Sequence, residues 1–189
     1  MRMAVTLLIS CLARTTTNGQ AISPQALGFD SYTLQSDLLG EVQYYLSSDS
    51  TDRKKPLLVY LDGSGAFPLF QQLDSGIGST VAIDFQELGE EYSILLISKP
   101  GVPFADVVTD DPNGFPVYPE PKAYTERLSF EWRLQSAHQI IETLIGEGKT
   151  DASGVVVLGF SEGAQVAPQL ALMNKHVTHL LLFGGNGLN

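Results

Sequence analysis

The sequence predicts an α/β fold: a mostly parallel central sheet of about six strands with flanking helices. Three observations carry this. The runs LLVYL (57–61), ILLI (94–97), VVVL (155–158) and HLLLF (179–183) are continuously apolar and four or five residues long, as suits strands covered on both faces. Between the second and third, Leu134, Ala137, His138, Ile141, Leu144 and Ile145 recur at spacings of three and four, giving a helix one apolar face. Strands alternating with helices pair in parallel through right-handed crossovers.

The first residues stand apart. Met1 and Arg2 precede MAVTLLISCLA (3–13), apolar apart from Thr6 and Ser10, and a polar stretch follows with small residues at Gly19 and Ala21. One positive charge, a short apolar core and small residues read as an export signal over 1–21, which places the protein in the periplasm or cell envelope. A buried first strand is the competing reading and would leave it in the cytoplasm. Leu8-Ile9-Ser10-Cys11 also has the form of a lipobox, in which Cys11 would carry a lipid anchor, although only ten residues precede that cysteine.

Residues 22–189 then form one domain. Residues 23–30 read as a linker, and 31–35 and 41–46 as short strands, the second with Val42, Tyr44 and Leu46 on alternate positions. A polar turn of mixed charge covers 47–55. Residues 102–121 carry prolines 103, 112, 116, 119 and 121 with Phe104, Phe115 and Tyr118, and read as an ordered loop near the top of the sheet. Gly146 and Gly148 stop the first helix. Residues 161–175 read as a second helix, kept thin against the sheet by Gly163, Ala164 and Ala167. No internal repeat or low-complexity tract interrupts this order.

Composition narrows the function. The 189 residues are 43% apolar and 17% charged, which suits one globular domain with a real core. A net charge of −10 opposes nucleic-acid binding, which needs clustered cations. No run of 18 apolar residues supports a transmembrane segment. A single cysteine allows neither an intrachain disulfide nor a cysteine zinc site. Asp106, Asp110, Asp111 and Asn113 do not follow the EF-hand ligand order and read as a solvated acidic loop. The turn at 62–65 lacks the P-loop lysine and the G-x-G-x-x-G fingerprint, so no cofactor and no metal are expected.

The chemistry centres on Gly159-Phe160-Ser161-Glu162-Gly163. A bare G-x-S-x-G is common. Here an apolar strand precedes it and a helix follows at once, the setting in which the pattern forms a sharp bend that exposes the serine. Glycines on either side avoid collision with the neighbouring strand and helix. Ser161 is the candidate catalytic nucleophile; the bland alternative is a serine N-cap in a Gly-rich turn. A second small-residue turn, Asp62-Gly63-Ser64-Gly65, ends the run at 57–61. An acyl-transfer oxyanion needs two backbone donors, so the N–H groups of Ser64 and Glu162 are the candidates, with Gly63 as their neighbour. The Glu162 side chain reads as a solvated acid at a helix start.

At these motifs the sequence resembles the α/β-hydrolase superfamily, over residues 31–187. GFSEGAQVAPQLA (159–171) is similar to bacterial dienelactone-hydrolase-like and acyl-peptidase-like serine hydrolases. The resemblance implies a Ser-His-Asp triad in the order nucleophile, acid, histidine, acting on a small-molecule acyl substrate or a peptide through ester, thioester or peptide bonds. It also implies an acid and a histidine beyond strands that would follow residue 183, roughly 60 to 100 further residues. His176 and His179 are expected at the far edge of the sheet from Ser161, and His138 is expected to pack in the core. The expectation is therefore a serine hydrolase whose C-terminal strands, acid and histidine are missing, and which is severely impaired as this chain. The alternative is a non-catalytic ligand-binding module on the same fold, with Phe67, Phe70, Phe104, Phe115 and Tyr118 around an apolar ligand. The strand at 177–183 is expected to show an apolar edge.

Overall fold

The computed structural model describes residues 22–48, 53–73 and 76–184; the segment 1–21 with Cys11, and residues 185–189, lie outside the described residues. In chain order the elements are β1 (Phe29–Ser36), β2 (Gly40–Ser47), β3 (Pro56–Leu61), β4 (Phe70–Leu73), β5 (Gly76–Ser79), α1 (Phe85–Leu88), β6 (Ser93–Ile97), β7 (Ala105–Val107), β8 (Thr109–Asp110) and β9 (Pro116–Val117). Then come α2 (Lys122–Arg127), α3 (Phe130–Gly146), β10 (Asp151–Phe160), α4 (Gly163–Met173) and β11 (Val177–Phe183).

Six strands form the main sheet in the order β1-β2-β6-β3-β10-β11. The four strands predicted from apolar runs, β6, β3, β10 and β11, are mutually parallel. β1 and β2 join antiparallel at one edge. The half-polar sequences of β1 and β2 already distinguished them from the continuous runs.

The continuous runs follow from burial on two faces. Leu57, Val59 and Leu61 of β3, Leu95 of β6, and Val155 and Val157 of β10 pack against Trp132, Ala137, Ile140, Ile141 and Leu144 of α3 and Val166, Ala167 and Leu170 of α4. The alternate residues Leu58, Tyr60, Ile94, Leu96 and Leu158 face the opposite layer, where Phe29, Phe70 and Phe104 are buried. There the Phe29 ring stands 5.4 Å from Phe85 and 6.0 Å from Phe104.

This second layer departs from the sequence expectation in two places. Residues 23–30 are not a mere linker: they contain a turn of 3-10 helix, Gln25–Leu27, and Phe29 is fully buried at the start of β1. Residues 102–121 are not only loop, since β7 joins β4 and β5 in a three-stranded sheet and β8 pairs with β9. These strands are two to four residues long, and β4 and β7 pair across a wide stretch of chain, so no local periodicity announces them. The helix α1 was legible in principle, because Asp84 caps it by accepting from the amides of Gln86 and Glu87.

Candidate active site

Register brings the site together. Leu61 of β3 pairs with Gly159 of β10, and Tyr60 pairs with Leu96 of β6. The turn after β3, the bend after β10 and the segment after β6 therefore leave the sheet side by side at its C-terminal edge. This is where open α/β sheets place their crevices.

Ser161 occupies the bend after β10 with φ 53°, the one positive φ of a non-glycine residue among the described residues. An L-residue held there stores backbone strain of roughly 1–3 kcal/mol. The conformation is held from both sides. The Ser161 N–H donates to the Phe183 carbonyl at 2.8 Å, and the Ser161 carbonyl accepts from the Ala164 amide at 3.0 Å. The flanking glycines permit the close approach: a Cβ on Gly163 would run into the Leu61 carbonyl, and one on Gly159 into the backbone of Gly163. Ser161 itself is half-buried.

Gly63, in the opposite turn, comes close to the serine. A Cβ there would stand 3.2 Å from Ser161 Cβ and 3.7 Å from Ser161 Oγ. Ser64, next in the chain, is exposed. The backbone amides of Ser64 and Glu162 donate to no group of the described residues.

Under the turn lies a buried charged cluster. Lys99 donates to Asp62 Oδ2 at 2.6 Å and to the carbonyls of Gly63 and Gly65 at 2.7 and 2.8 Å. Arg133, in the first turn of α3, donates through Nη2 to the Asp62 carbonyl and to Asp62 Oδ1, the latter at 2.8 Å. Its Nη1 lies 3.2 Å from Glu162 Oε2. Asp62, Lys99 and Arg133 are each at most 6% exposed. Two cations face two carboxylates, so the cluster is neutral as a whole. Burial pushes the Lys99 ammonium below its ordinary value, and Asp62 pulls it partly back. Tyr124 of α2 stands beside the same turn; burial and then the charges of Glu120 and Glu162 raise its phenol, while the Gly65 amide lowers it.

None of the three histidines reaches this edge. His179 lies four residues before Phe183 in β11, about 13 Å along the strand. His138 Nδ1 is 3.1 Å from the amide of Asn174, at the far end of α4, about 16 Å from its start. His176 Nε2 is 3.7 Å from Glu142 at that same end. A cavity lined by Arg53, Lys54, Pro56 and Tyr92 is likewise remote, since Pro56 begins β3 and lies about 17 Å from its end at Leu61.

No family profile matches the sequence, and no curated protein matches it. Solved structures do match the fold. The chain superposes on a post-proline cleaving enzyme from Rickettsia typhi with a TM-score of 0.57 and 12% identity, covering 83% of this chain and 21% of that one. It superposes on a carboxyl esterase from Bacillus coagulans with a TM-score of 0.50 and 10% identity, covering 82% of this chain and 44% of that one. An α/β-hydrolase fold protein of unknown function gives a TM-score of 0.51 at 12% identity, covering 89% of this chain and 45% of that one. The chain has the α/β-hydrolase fold. It spans between a fifth and a half of the length of these structures.

Within this α/β-hydrolase fold the structure corrects several sequence expectations. The Glu162 side chain is not simply solvated but paired with Arg133. His138 is half-buried and hydrogen-bonded rather than packed in the core. Phe70 and Phe104 are core residues, 4.8 Å apart between ring centres, and so do not line a crevice. The acidic loop, by contrast, stays at the surface as expected, with Asp111 accepting from the amides of Asn113 and Phe115 and Asp106 from the Tyr118 hydroxyl. The Asp62–Lys99–Arg133 cluster was missed. Its signals were a lysine directly after an apolar strand run and an arginine within a helix that buries its neighbours Trp132 and Leu134.

Proposed function

We propose that this chain is a serine hydrolase acting on ester, thioester or peptide bonds, with Ser161 as nucleophile and the amides of Ser64 and Glu162 as oxyanion donors. The observation that carries the reading is the strained Ser161 at the end of β10, half-exposed and beside Gly63, with two amides on the flanking turns that have no partner among the described residues. In this mechanism the Ser161 hydroxyl attacks the acyl carbon and gives up its proton, and the carbonyl oxygen gains negative charge between the two amides; collapse of that intermediate breaks the bond to the alcohol, thiol or amine, which leaves with a proton, and water then releases the acid from Ser161. The N-terminus of α4 adds its positive dipole end. Peptidase and esterase neighbours on the same fold agree with an acyl substrate.

Deprotonation of Ser161 sets the rate. With His138, His176 and His179 all more than about 10 Å away, none can take the proton at hydrogen-bond distance. As this sequence stands, turnover is therefore slow, of the order left when a triad member is removed, roughly 10³–10⁴ over water. The distance of the histidines is also what favours a second reading, an acyl-ligand binding module without turnover.

A fluorophosphonate distinguishes these. The hydrolase reading expects slow addition of a phosphonyl group at Ser161, seen by peptide mass spectrometry and lost in Ser161→Ala. No adduct after exhaustive incubation favours the binding module. Rapid stoichiometric labelling would mean that another group serves as base.

A further inference from the structure

The buried cations beneath the turn after β3 touch its backbone, not only its carboxylate. Lys99 Nζ takes the carbonyls of Gly63 and Gly65, and Arg133 Nη2 takes the carbonyl of Asp62. A trans peptide is planar, with its C=O and the following N–H pointing in opposite directions. The amides of Gly63, Ser64 and Ala66 share their peptide planes with these carbonyls. They must point away from the cluster. A Cβ on Gly63 would stand 3.2 Å from Ser161 Cβ and 3.7 Å from its Oγ, so the side of the turn turned away from the cluster at Gly63 and Ser64 lies next to the serine.

We propose that Lys99 is a positioning residue: by drawing the Gly63 and Gly65 carbonyls onto its ammonium, it turns the Ser64 and Ala66 amides away from the cluster and so aims that of Ser64 toward the crevice beside Ser161. For its catalytic consequence the inference rests on the serine-hydrolase reading. Three features support it. Lys99 is 5% exposed, so its ammonium has no water to spend its protons on and must satisfy all three on the turn. Its acceptors, Asp62 Oδ2 and the two carbonyls, number three and lie within 2.8 Å. Lys99 is itself fixed, because its carbonyl accepts from the Val102 amide at 3.0 Å, closing the turn that follows β6. Arg133 complements it: one guanidinium joins Asp62 on the first turn to Glu162 on the serine bend, so both proposed oxyanion donors sit on segments tied to the same side chain.

The test uses the full chain labelled with nitrogen-15, as wild type, Lys99→Met and Lys99→Arg. Residual dipolar couplings report the direction of each amide. In the wild type, the Ser64 and Ala66 couplings should fit carbonyls directed at Lys99. In Lys99→Met they should change while those of β3 and β6 hold, and the rate constant for phosphonylation of Ser161 should fall about tenfold or more. Lys99→Arg should recover part of that rate, because it keeps a cation with several donors. Wild-type couplings that point the carbonyls elsewhere overturn the proposal. So does a folded Lys99→Met with unchanged couplings or unchanged phosphonylation. Should Lys99→Met fail to fold, the wild-type couplings and the Lys99→Arg rate still decide. A wild type that takes no phosphonyl group defeats the hydrolase reading instead, and the couplings alone then settle what Lys99 does to the turn.

Discussion

The backbone N–H of Ser161 donates to the carbonyl of Phe183 at 2.8 Å, so the bend that carries the hydroxyl is fastened to the last residue of β11. The serine thus keeps an unfavourable backbone geometry because the neighbouring strand holds it there. Glycine adopts that geometry without strain. Ser161→Gly should therefore unfold at higher urea than Ser161→Ala, by about 1 kcal/mol, while both lose all phosphonylation. Equal stability of the two variants would mean the bend relaxes in solution.

Gly163 tests the packing behind the bend. Its α-carbon lies against the Leu61 carbonyl, with no room for a methyl group. Gly163→Ala must displace either α4 or the end of β3, and both are rigid backbone. A loss of about 1–3 kcal/mol or more is expected in urea unfolding. Gly146→Ala is the control, because nothing lies near a Cβ at that position.

The charged cluster should respond asymmetrically. Asp62→Asn leaves Lys99 and Arg133 buried without their main counterion and should cost about 3–5 kcal/mol. Glu162→Gln breaks a pair whose carboxylate side chain is 36% exposed, where water screens the charge, and should cost about 1 kcal/mol or less. The single tryptophan, Trp132, is buried against the core and donates to the Leu39 carbonyl, so its fluorescence reports both transitions.

Tyr60 predicts an alkaline weakness. Burial pushes its phenol up to about 12, against a smaller lowering by the Ala82 amide that donates to it. The unfolded chain gives up this proton near pH 10. Tyr60 therefore contributes stability that is complete below about pH 10 and lost as the pH rises through about 12. Tyr60→Phe should start less stable, having lost the hydrogen bond to the Thr80 carbonyl, and should show a shallower decline across that window in urea midpoints. An unchanged slope would assign the decline to other groups.

Among the described residues β11 is an edge strand of the main sheet, with Leu181, Leu182 and Phe183 at 43%, 49% and 53% exposure. An apolar edge strand recruits further strands. Leu182→Lys should lower self-association measured by sedimentation velocity, at a stability cost of about 1 kcal/mol because the side chain is already half in water.

The sequence by itself determined the strands of the parallel sheet and the two long helices. Each is announced within a few neighbouring residues: unbroken apolar runs where both faces are covered, a three-and-four spacing where one face is. It also located the Ser161 bend, since glycines at 159 and 163 are needed wherever backbone meets backbone so closely. Only the tertiary structure decided the rest. Phe29, Phe70, Phe85 and Phe104 form one aromatic layer although they lie in separate segments of the chain, and β4 finds β7 across more than thirty residues. Asp62, Lys99 and Arg133 meet because Leu61 is in register with Gly159 and Tyr60 with Leu96, and because α3 begins at that same edge. Register is a property of paired strands, set by interactions between distant segments, and no window of sequence contains both partners.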